Sequence, residues 1–256
     1  MIRTLLLDGI GDLRAEYGLV LADADQVLNA PPYKEYLVDV PGADGQLDIT
    51  DSIWGDVRYD LREQSLKFFV MPENVGDYER LKTRIFNHIH GRAFDFQFTF
   101  DPEYTYHGRI SVKESQFALD AAFFIFEFKT DPYKTAEDIL LYANAANGAT
   151  FILPSGRKRV SPIFETEWPT YVEFEGVTYI LPPGTNSIRD LWLRHGNNEI
   201  YVNSFIDGGR QTWVDLQNLG VTWAEFATKR VIEWRWGNET SNEVRNVYIK
   251  YARKDL

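Results

Sequence analysis

The fold class is set by residues 92–112, which read RAFDFQFTFDPEYTYHGRISV. Phenylalanine occupies every second position from Phe94 to Phe100, and polar residues stand between. Because successive side chains of a strand point to opposite faces, this alternation predicts a strand with four rings on one face. The turn residues Asp101-Pro102-Glu103 follow, and residues 104–112 are predicted to form the returning strand.

An amphipathic helix is predicted just before this hairpin. Its apolar stripe has helical spacing and consists of Tyr78, Leu81, Ile85 and Ile89. Asp77 is the predicted N-cap, and Gly91 is the predicted stop at the carboxyl end. We expect the stripe to pack against the four phenylalanines and form the core of a first domain.

Length and composition favour two mainly β domains. The chain has 256 residues, whereas single domains most often have about 100–150. Aromatic residues make up 15% of the chain, which suits a pleated surface. We place the boundary at Asp131-Pro132-Tyr133-Lys134, so that the domains comprise residues 1–134 and 135–256. Residues 135–149 could begin with a helix or an edge strand.

The second half is predicted to be a β-sandwich of short strands. Residues 190–194 and 199–203 flank Gly196-Asn197-Asn198 and are predicted to form a hairpin. Residues 231–236 and 247–251 are further predicted strands. Regular turn residues between short strands are typical of a sandwich.

Charge and cysteine content exclude several classes of protein. The net charge is −11, which argues against nucleic acid as a partner. Residues 1–135 hold 14 basic against 23 acidic residues, so the first half carries most of the charge. Cysteine is absent, which removes disulfides, thiolate nucleophiles and Cys-bound zinc. No apolar run is long enough for a membrane span, and the apolar run within the first eight residues is too short for a signal peptide.

Four motifs between Tyr33 and Lys134 together point to a known family. They are VPGADGQLDIT at 40–50, NHIHGR at 87–92, DPEYTYHGR at 101–109 and DPYK at 131–134. Each motif alone is a short sequence typical of a turn between strands. In this order and spacing they resemble the first domain of the distal tail proteins of long-tailed bacteriophages (siphophages).

The same resemblance covers a Gly-x-Leu-Asp-Ile-Thr segment, here 45–50, followed by a Tyr-x-x-Arg strand, here Tyr59-Asp60-Leu61-Arg62. It implies a first domain of strands and one helix that assembles as a hexameric ring. It implies a second domain with a galectin-like or carbohydrate-module-like β-sandwich. The implied partners are further copies of the chain, the tail tube protein, and the tail-associated lysin, fibre and receptor-binding proteins. The implied location is the tail tip of a virion, after synthesis in the bacterial cytoplasm.

No enzymatic constellation, cofactor site or metal site is predicted. The chain lacks the nucleophile-elbow, phosphate-loop and zinc-protease motifs. His88 and His90 stand two positions apart at a helix end and make a poor ligand pair. Asp48 and Thr50 are predicted to cap backbone N–H groups, and Asp44-Gly45 to form a tight turn.

Two carboxylate pairs, Glu165/Glu167 and Glu173/Glu175, have the strand spacing that puts both groups on one face. Glycosidase acids normally face each other across a cleft, from different strands, so we do not expect this chemistry. Phe174 is predicted to point inward between the second pair.

Tryptophan offers an alternative function, carbohydrate binding. Six of the seven tryptophans lie in the second half: Trp168, Trp192, Trp213, Trp223, Trp234 and Trp236. Exposed indole rings on a sandwich can stack on sugars, although Trp234 and Trp236 have the pattern of a core face. Trp168 and Trp223, in turn-rich surroundings, are the candidate carbohydrate-binding residues. The host cell-wall saccharide would then be a further partner.

Overall fold

The computed structural model describes residues 3–22, 28–52, 55–118, 121–205 and 244–256. Strands account for 56% of the described residues and helices for 9%, which confirms the predicted mainly β fold. The chain divides into two compact units, residues 1–137 with 255–256, and residues 138–254. Each unit has its own buried core. That residues 1–134 and 135–256 fold as separate domains stays a prediction.

The first unit contains nine strands and two helices that lie wholly within it. They are β1 (Leu5–Leu7), β2 (Gly11–Asp12), α1 (Leu13–Tyr17), β3 (Val20–Leu21), β4 (Leu37–Asp39), β5 (Gln46–Asp48), β6 (Arg62–Val70), α2 (Val75–His88), β7 (Arg92–Phe98), β8 (Asp101–Ala118) and β9 (Ala121–Thr130). These counts refer to the described residues alone.

One antiparallel sheet organises this unit. Its strands run in the order β3, β6, β9, β8, β7, β1, β2. Side chains of β9 alternate between buried and half-buried positions along most of the strand. The register places Phe68 opposite Phe124 and Leu66 opposite Phe126. Neighbouring buried rings then touch, as in the pair of Phe68 and Phe126, whose centroids are 5.0 Å apart.

The phenylalanine strand and the helix contribute to one core, as predicted. Phe96 and Phe98 are fully buried in β7, and Phe94 and Phe100 pack against the core from half-buried positions. From α2, Ile85 is buried in the same core. The remaining stripe residues also belong to it: Tyr78 and Ile89 are buried, and Leu81 is half-buried.

The prediction that Asp77 caps α2 is wrong. The N-cap is Asn74, whose Oδ1 accepts a hydrogen bond from the backbone N–H of Asp77 at 3.0 Å. The Asn74 amide also donates to the Asp77 carboxylate at 2.9 Å. Asn74 and Asp77 therefore form a reciprocal capping pair, in which Asp77 lies three residues after the N-cap. The helix ends at His88, and Gly91, with φ +74°, turns the chain into β7.

The prediction of a single helix in the first domain is also wrong. The short helix α1 begins after Asp12, whose side chain accepts from the N–H of Arg14. It ends at Gly18, which adopts a left-handed conformation with φ +70°. Five residues between two caps are too few to show a helical period in the sequence.

The glycine of the motif DPEYTYHGR is required by close packing. Gly108 pairs with Thr130 in the β8–β9 ladder. A Cβ at this position would lie 2.5 Å from the carbonyl oxygen of Lys129. The adjacent Arg109 donates from Nη1 to the carbonyl of Gly91, which ties two of the sequence motifs together.

The second unit has two antiparallel sheets. Its strands are β11 (Ala149–Ser155), β12 (Ile163–Thr166), β13 (Thr170–Phe174), β14 (Val177–Leu181), β15 (Gly184–Ser187) and β16 (Gly196–Ser204), with most of β10 (Lys134–Asn144) and β17 (Asn246–Asp255). One sheet has the order β11, β16, β13, β14, and the other contains β15, β12, β17, β10. The ambiguous stretch after Lys134 is thus a strand.

Both sheets contribute to a common core, which is the arrangement of a β-sandwich. The first sheet supplies Phe151, Leu153, Val172, Phe174, Ile200 and Val202, and the second supplies Phe164, Val247, Ile249 and Tyr251. Phe174 points inward, as predicted. The galectin-like relationship of this sandwich stays a prediction.

The predicted hairpin around Gly196-Asn197-Asn198 is wrong. These residues begin β16, which pairs with β11 and β13 instead of residues 190–194. The Asn198 side chain bonds the backbone of Arg194 and so shapes the loop before the strand. The strand predicted at 247–251 lies in β17, and the one at 231–236 falls outside the described residues.

Replacement of Phe96 by alanine tests the core of the first unit. We expect the free energy of unfolding to fall by about 3–5 kcal/mol, because a fully buried ring is lost and a cavity is left. Phe86→Ala is the control, since Phe86 lies on α2 and is 40% exposed. Chemical denaturation of both variants measures the difference. An unchanged transition in Phe96→Ala would show that this face is not part of the core.

Candidate assembly surface

Residues 30–52 and 55–61 are largely exposed, and the segment of residues 30–61 is here called the arm. It contains β4 and β5, and every residue of these two strands is exposed. In the described part of the chain the two strands pair with each other alone, with Leu37 opposite Asp48 and Val38 opposite Leu47. A two-stranded hairpin with no buried face is marginal in water.

The base of the arm is closed by contacts between its incoming and outgoing chains. Tyr33 and Tyr59 form an antiparallel bridge. The N–H of Lys34 donates to the carbonyl of Arg58 at 2.8 Å, and the Lys34 ammonium lies 3.4 Å from the Asp60 carboxylate. The arm therefore leaves and rejoins the sheet at nearly the same place.

A buried arginine holds this base. Arg62 begins β6 at the end of the arm and is only 5% exposed. Its Nε and Nη2 donate to the carbonyl of Pro132 at 2.9 and 2.8 Å, and its Nη1 donates to the carbonyl of Asn29 at 3.0 Å. The guanidinium also faces the ring of Tyr106, 6.0 Å from its centroid. Burial lowers the pKa of Arg62 and raises the pKa of Tyr106.

The residues of the motif DPYK also lie at the base of the arm. The ring of Tyr133 meets Tyr59 edge-on, with centroids 5.9 Å apart. The ammonium of Lys134 lies 3.9 Å from the ring centre of Tyr104 and 3.4 Å from the Asp101 carboxylate. Motifs that are distant in the sequence thus meet around the base of the arm.

The tip of the arm is a tight turn. The N–H of Ala43 donates to the carbonyl of Val40 at 3.1 Å, with Pro41 and Gly42 between them. Gly42 has φ +84°, as the third position of a type II turn requires. Gly45 has φ +80°, in agreement with the predicted turn at Asp44-Gly45.

Asp48 and Thr50 cap backbone groups, as predicted. The Asp48 carboxylate accepts from the N–H of Thr50 at 2.9 Å, and Thr50 Oγ1 accepts from the N–H of Tyr36 at 3.0 Å. Hydrogen bonding to the side chain and backbone of Thr50 lowers the pKa of Asp48. This contribution to the arm is complete near neutral pH and is lost as the pH falls through the lowered pKa of Asp48.

The arm combines apolar exposure with negative charge. Its large apolar side chains with exposed fractions between 36% and 56% are Tyr33, Tyr36, Leu37, Val38, Val40, Leu47 and Leu61. The same segment has seven acidic and two basic residues. Such a cluster of exposed apolar groups is typical of a surface that binds another protein.

The two candidate carbohydrate-binding residues were predicted in the second unit. Trp168 is half-buried in the turn between β12 and β13. The guanidinium carbon of Arg245 lies 5.7 Å from its ring centre, so stacking on a sugar would use the opposite face. Its carbonyl accepts from Thr166 and Thr170 at 2.7 and 2.9 Å. Trp223 falls outside the described residues.

The histidines of the first unit have local partners. His88 Nδ1 lies 2.9 Å from the Tyr17 hydroxyl, His90 Nδ1 accepts from the N–H of Val112 at 3.0 Å, and His107 Nδ1 lies 2.6 Å from an oxygen of Asp95. Within the described ranges, no three His, Cys, Asp or Glu side chains are grouped so as to hold a metal ion.

Among the described residues, neither helix has the length and apolar character needed to span a membrane.

The whole architecture has a counterpart among solved structures. The crystal structure of SPP1 Dit (gp 19.1), a paradigm of the hub adsorption apparatus in phages that infect Gram-positive bacteria, matches with a TM-score of 0.60. The match covers 100% of both chains at 12% sequence identity. The chain is similar in fold to SPP1 Dit. The resemblance to distal tail proteins is therefore confirmed for the fold. No protein-family model and no curated protein matches the sequence.

Replacement of Arg62 by lysine tests the base of the arm. We expect the free energy of unfolding to fall by about 2–4 kcal/mol, because an ammonium cannot reproduce the forked hydrogen bonds of a guanidinium. The amides of Lys34 and Asp60 should exchange faster with solvent. Arg80→Lys, on the exposed face of α2, is the control and should change stability by less than about 0.5 kcal/mol. Equal effects of the two substitutions would contradict this role of Arg62.

Proposed function

We propose that this chain is a structural protein of a phage tail tip, a distal tail hub that closes into a hexameric ring through residues 1–134. The observation that carries the proposal is the exposed arm. Its strands bury no side chain, and its apolar residues need a partner surface. The fold shared with SPP1 Dit supports the choice of a hub over other assemblies.

A ring makes a particular demand on such a surface. Cyclic assembly uses heterologous contacts, in which one surface of a subunit meets a different surface of the next. An exposed arm meets this requirement because the arm of one subunit can contact a different surface of the next subunit, and not the arm of that subunit. In this proposal the remaining partners are the tail tube protein on one side and the lysin, fibre or receptor-binding proteins on the other. The protein then has no enzymatic activity and acts in the virion tail.

Mass measurement of arm variants tests the ring. Six copies of the 29.7 kDa chain would give about 178 kDa. The double variant Val38→Thr with Leu47→Thr removes apolar groups from one cross-strand pair and leaves β-branched threonine at both positions, which suits a strand. We expect native mass spectrometry and light scattering, with and without the tail tube protein, to show a ring for the parent chain. The variant should lose the ring and keep its melting temperature.

The matched control is Ile152→Thr with Ile180→Thr. These residues are 51% and 57% exposed on strands of the second unit, so the same chemical change is made away from the arm. The control should retain the ring. A stable two-fold dimer with a large apolar interface, and no ring under any condition, would overturn the hub proposal.

The second candidate function is carbohydrate binding by residues 135–256. It is favoured by aromatic rings that remain accessible on the second unit, such as Trp192, which is 49% exposed, and the half-buried Trp168. In this role the domain would hold a host cell-wall saccharide through Trp168 and Trp223. The competing role for the same domain is a scaffold for other proteins of the tail tip.

Tryptophan fluorescence distinguishes these two roles. If the second unit binds saccharide, soluble host-wall polysaccharide should quench the emission, and Trp168→Ala or Trp223→Ala should reduce the effect. Trp54→Ala, which removes the one tryptophan in the first half of the sequence, is the control for loss of an indole. If no host-wall saccharide changes the emission, the adhesion role is rejected and the scaffold role stands.

A further inference from the structure

The sandwich has a polar depression at one end of its β11–β16–β13–β14 sheet. Its volume is about 500 Å³, within the usual range of small-ligand sites. The end of β13, the start of β16 and the loop before β16 form its walls. The side chains that line it include Glu173, Glu175, Arg194, His195, Asn197, Glu199 and Tyr201.

A buried asparagine fixes the loop that forms one wall. Asn198 is 7% exposed, and its Oδ1 accepts from the N–H of Arg194 at 2.8 Å. Its Nδ2 lies within hydrogen-bond distance of the carbonyls of Leu153, Arg194 and Gly196. The loop is therefore shaped before any ligand arrives, and His195 is held at the surface.

An ion pair between two exposed side chains links this loop to the opposite wall. Arg194 donates to the Glu175 carboxylate at 2.9 Å. Glu175 has φ +49°, the one non-glycine residue with positive φ in the described part of the chain. Together with Gly176, at φ +78°, it forms the two-residue turn between β13 and β14, where positive φ at both positions is usual. The ion pair also neutralises one of the three carboxylates of the depression.

Tyr201 provides an aromatic surface between these walls. It stands opposite Glu173 on one neighbouring strand and Thr150 on the other. Its hydroxyl accepts from the Asn203 amide at 3.3 Å. The ring is so close to Gly148 that a Cβ there would lie 2.1 Å from the hydroxyl oxygen. The ring position is thus fixed by its neighbours.

The chemistry of these groups selects one class of ligand. Glu173 and Glu199 are acceptors that would repel an anion, and no metal-holding group of ligands exists in the described structure. His195, Asn197 and Arg194 can donate hydrogen bonds. Acceptors and donors that line one depression with an aromatic ring match a compound with neighbouring hydroxyls and an apolar C–H face. A neutral pyranose has these properties.

We propose that this depression is a saccharide-binding site for one or two neutral sugar rings, with Tyr201 as the stacking surface and Glu199 and His195 as hydrogen-bonding groups. The proposal rests on the carbohydrate-binding candidate function and gives it a location distinct from Trp168. Glu199 accepts from sugar hydroxyls, and His195 contacts them from the loop.

The test measures binding of the full chain to defined sugars. The probes are maltose, lactose and di-N-acetylchitobiose in saturation-transfer NMR, and purified host-wall polysaccharide in a plate assay. Glu199→Gln and His195→Ala change exposed groups, so we expect unchanged melting temperatures and at least a tenfold loss of affinity. Glu165→Gln, which changes an exposed carboxylate on the other sheet, is the control and should stay within twofold of the parent chain. Trp168→Ala tests the alternative location, in which this indole holds the sugar.

Three other outcomes overturn the proposal in distinguishable ways. If the parent chain binds sugar and Trp168→Ala alone abolishes binding, the adhesion function stands and the site lies elsewhere. If all four variants bind like the parent chain, the depression is not the site. If no probe binds the parent chain, both the site and the adhesion function are rejected.

Discussion

The first unit depends on the burial of one guanidinium. Arg62 donates to main-chain carbonyls at Asn29 and Pro132, which lie 33 and 70 residues away in the sequence. Removing a charged group from water is costly, and charge-assisted hydrogen bonds with good geometry offset that loss. One side chain thus joins the entry of the arm, its exit and the turn at the end of β9. Displacement of this group would free all three segments at once.

Elements with a strong period could be predicted from the sequence. The alternation from Phe94 to Phe100 and the helical stripe ending at Ile89 depend on neighbours within a few positions, so their buried faces could be read directly. The predicted turn at residues 101–103 is wrong, because β7 ends at Phe98 and β8 begins at Asp101. Helix α1 could not be predicted, because five residues do not complete a period. The Asn74 cap was missed because Asp77 has the same capping preference and lies in the same turn of helix.

The features that depend on pairing between distant parts of the sequence could not be predicted. The Gly196-Asn197-Asn198 segment has a strong local turn signal, yet its asparagine bonds a carbonyl at Leu153, 45 residues away. The Glu173/Glu175 pair could be recognised from its spacing in the sequence. The pairing of β13 with β16, which brings Tyr201 and Glu199 beside the pair, could not be predicted. The sequence motifs of the first unit pointed to a family without a physical reason. The structure supplies a physical reason for two of these residues. Gly108 is required by the close contact between β8 and β9, and the carbonyl of Pro132 accepts the hydrogen bonds of Arg62.

The arm also bears on how a ring would form. A hairpin without a buried face loses conformational entropy when it is fixed against a neighbour, and the first contact between two free subunits must overcome this loss. The last subunit to enter a ring makes two contacts, and the second is intramolecular, with a high effective concentration. Open arcs of two to five subunits would therefore be sparsely populated. Subunits would be found either free or in closed rings.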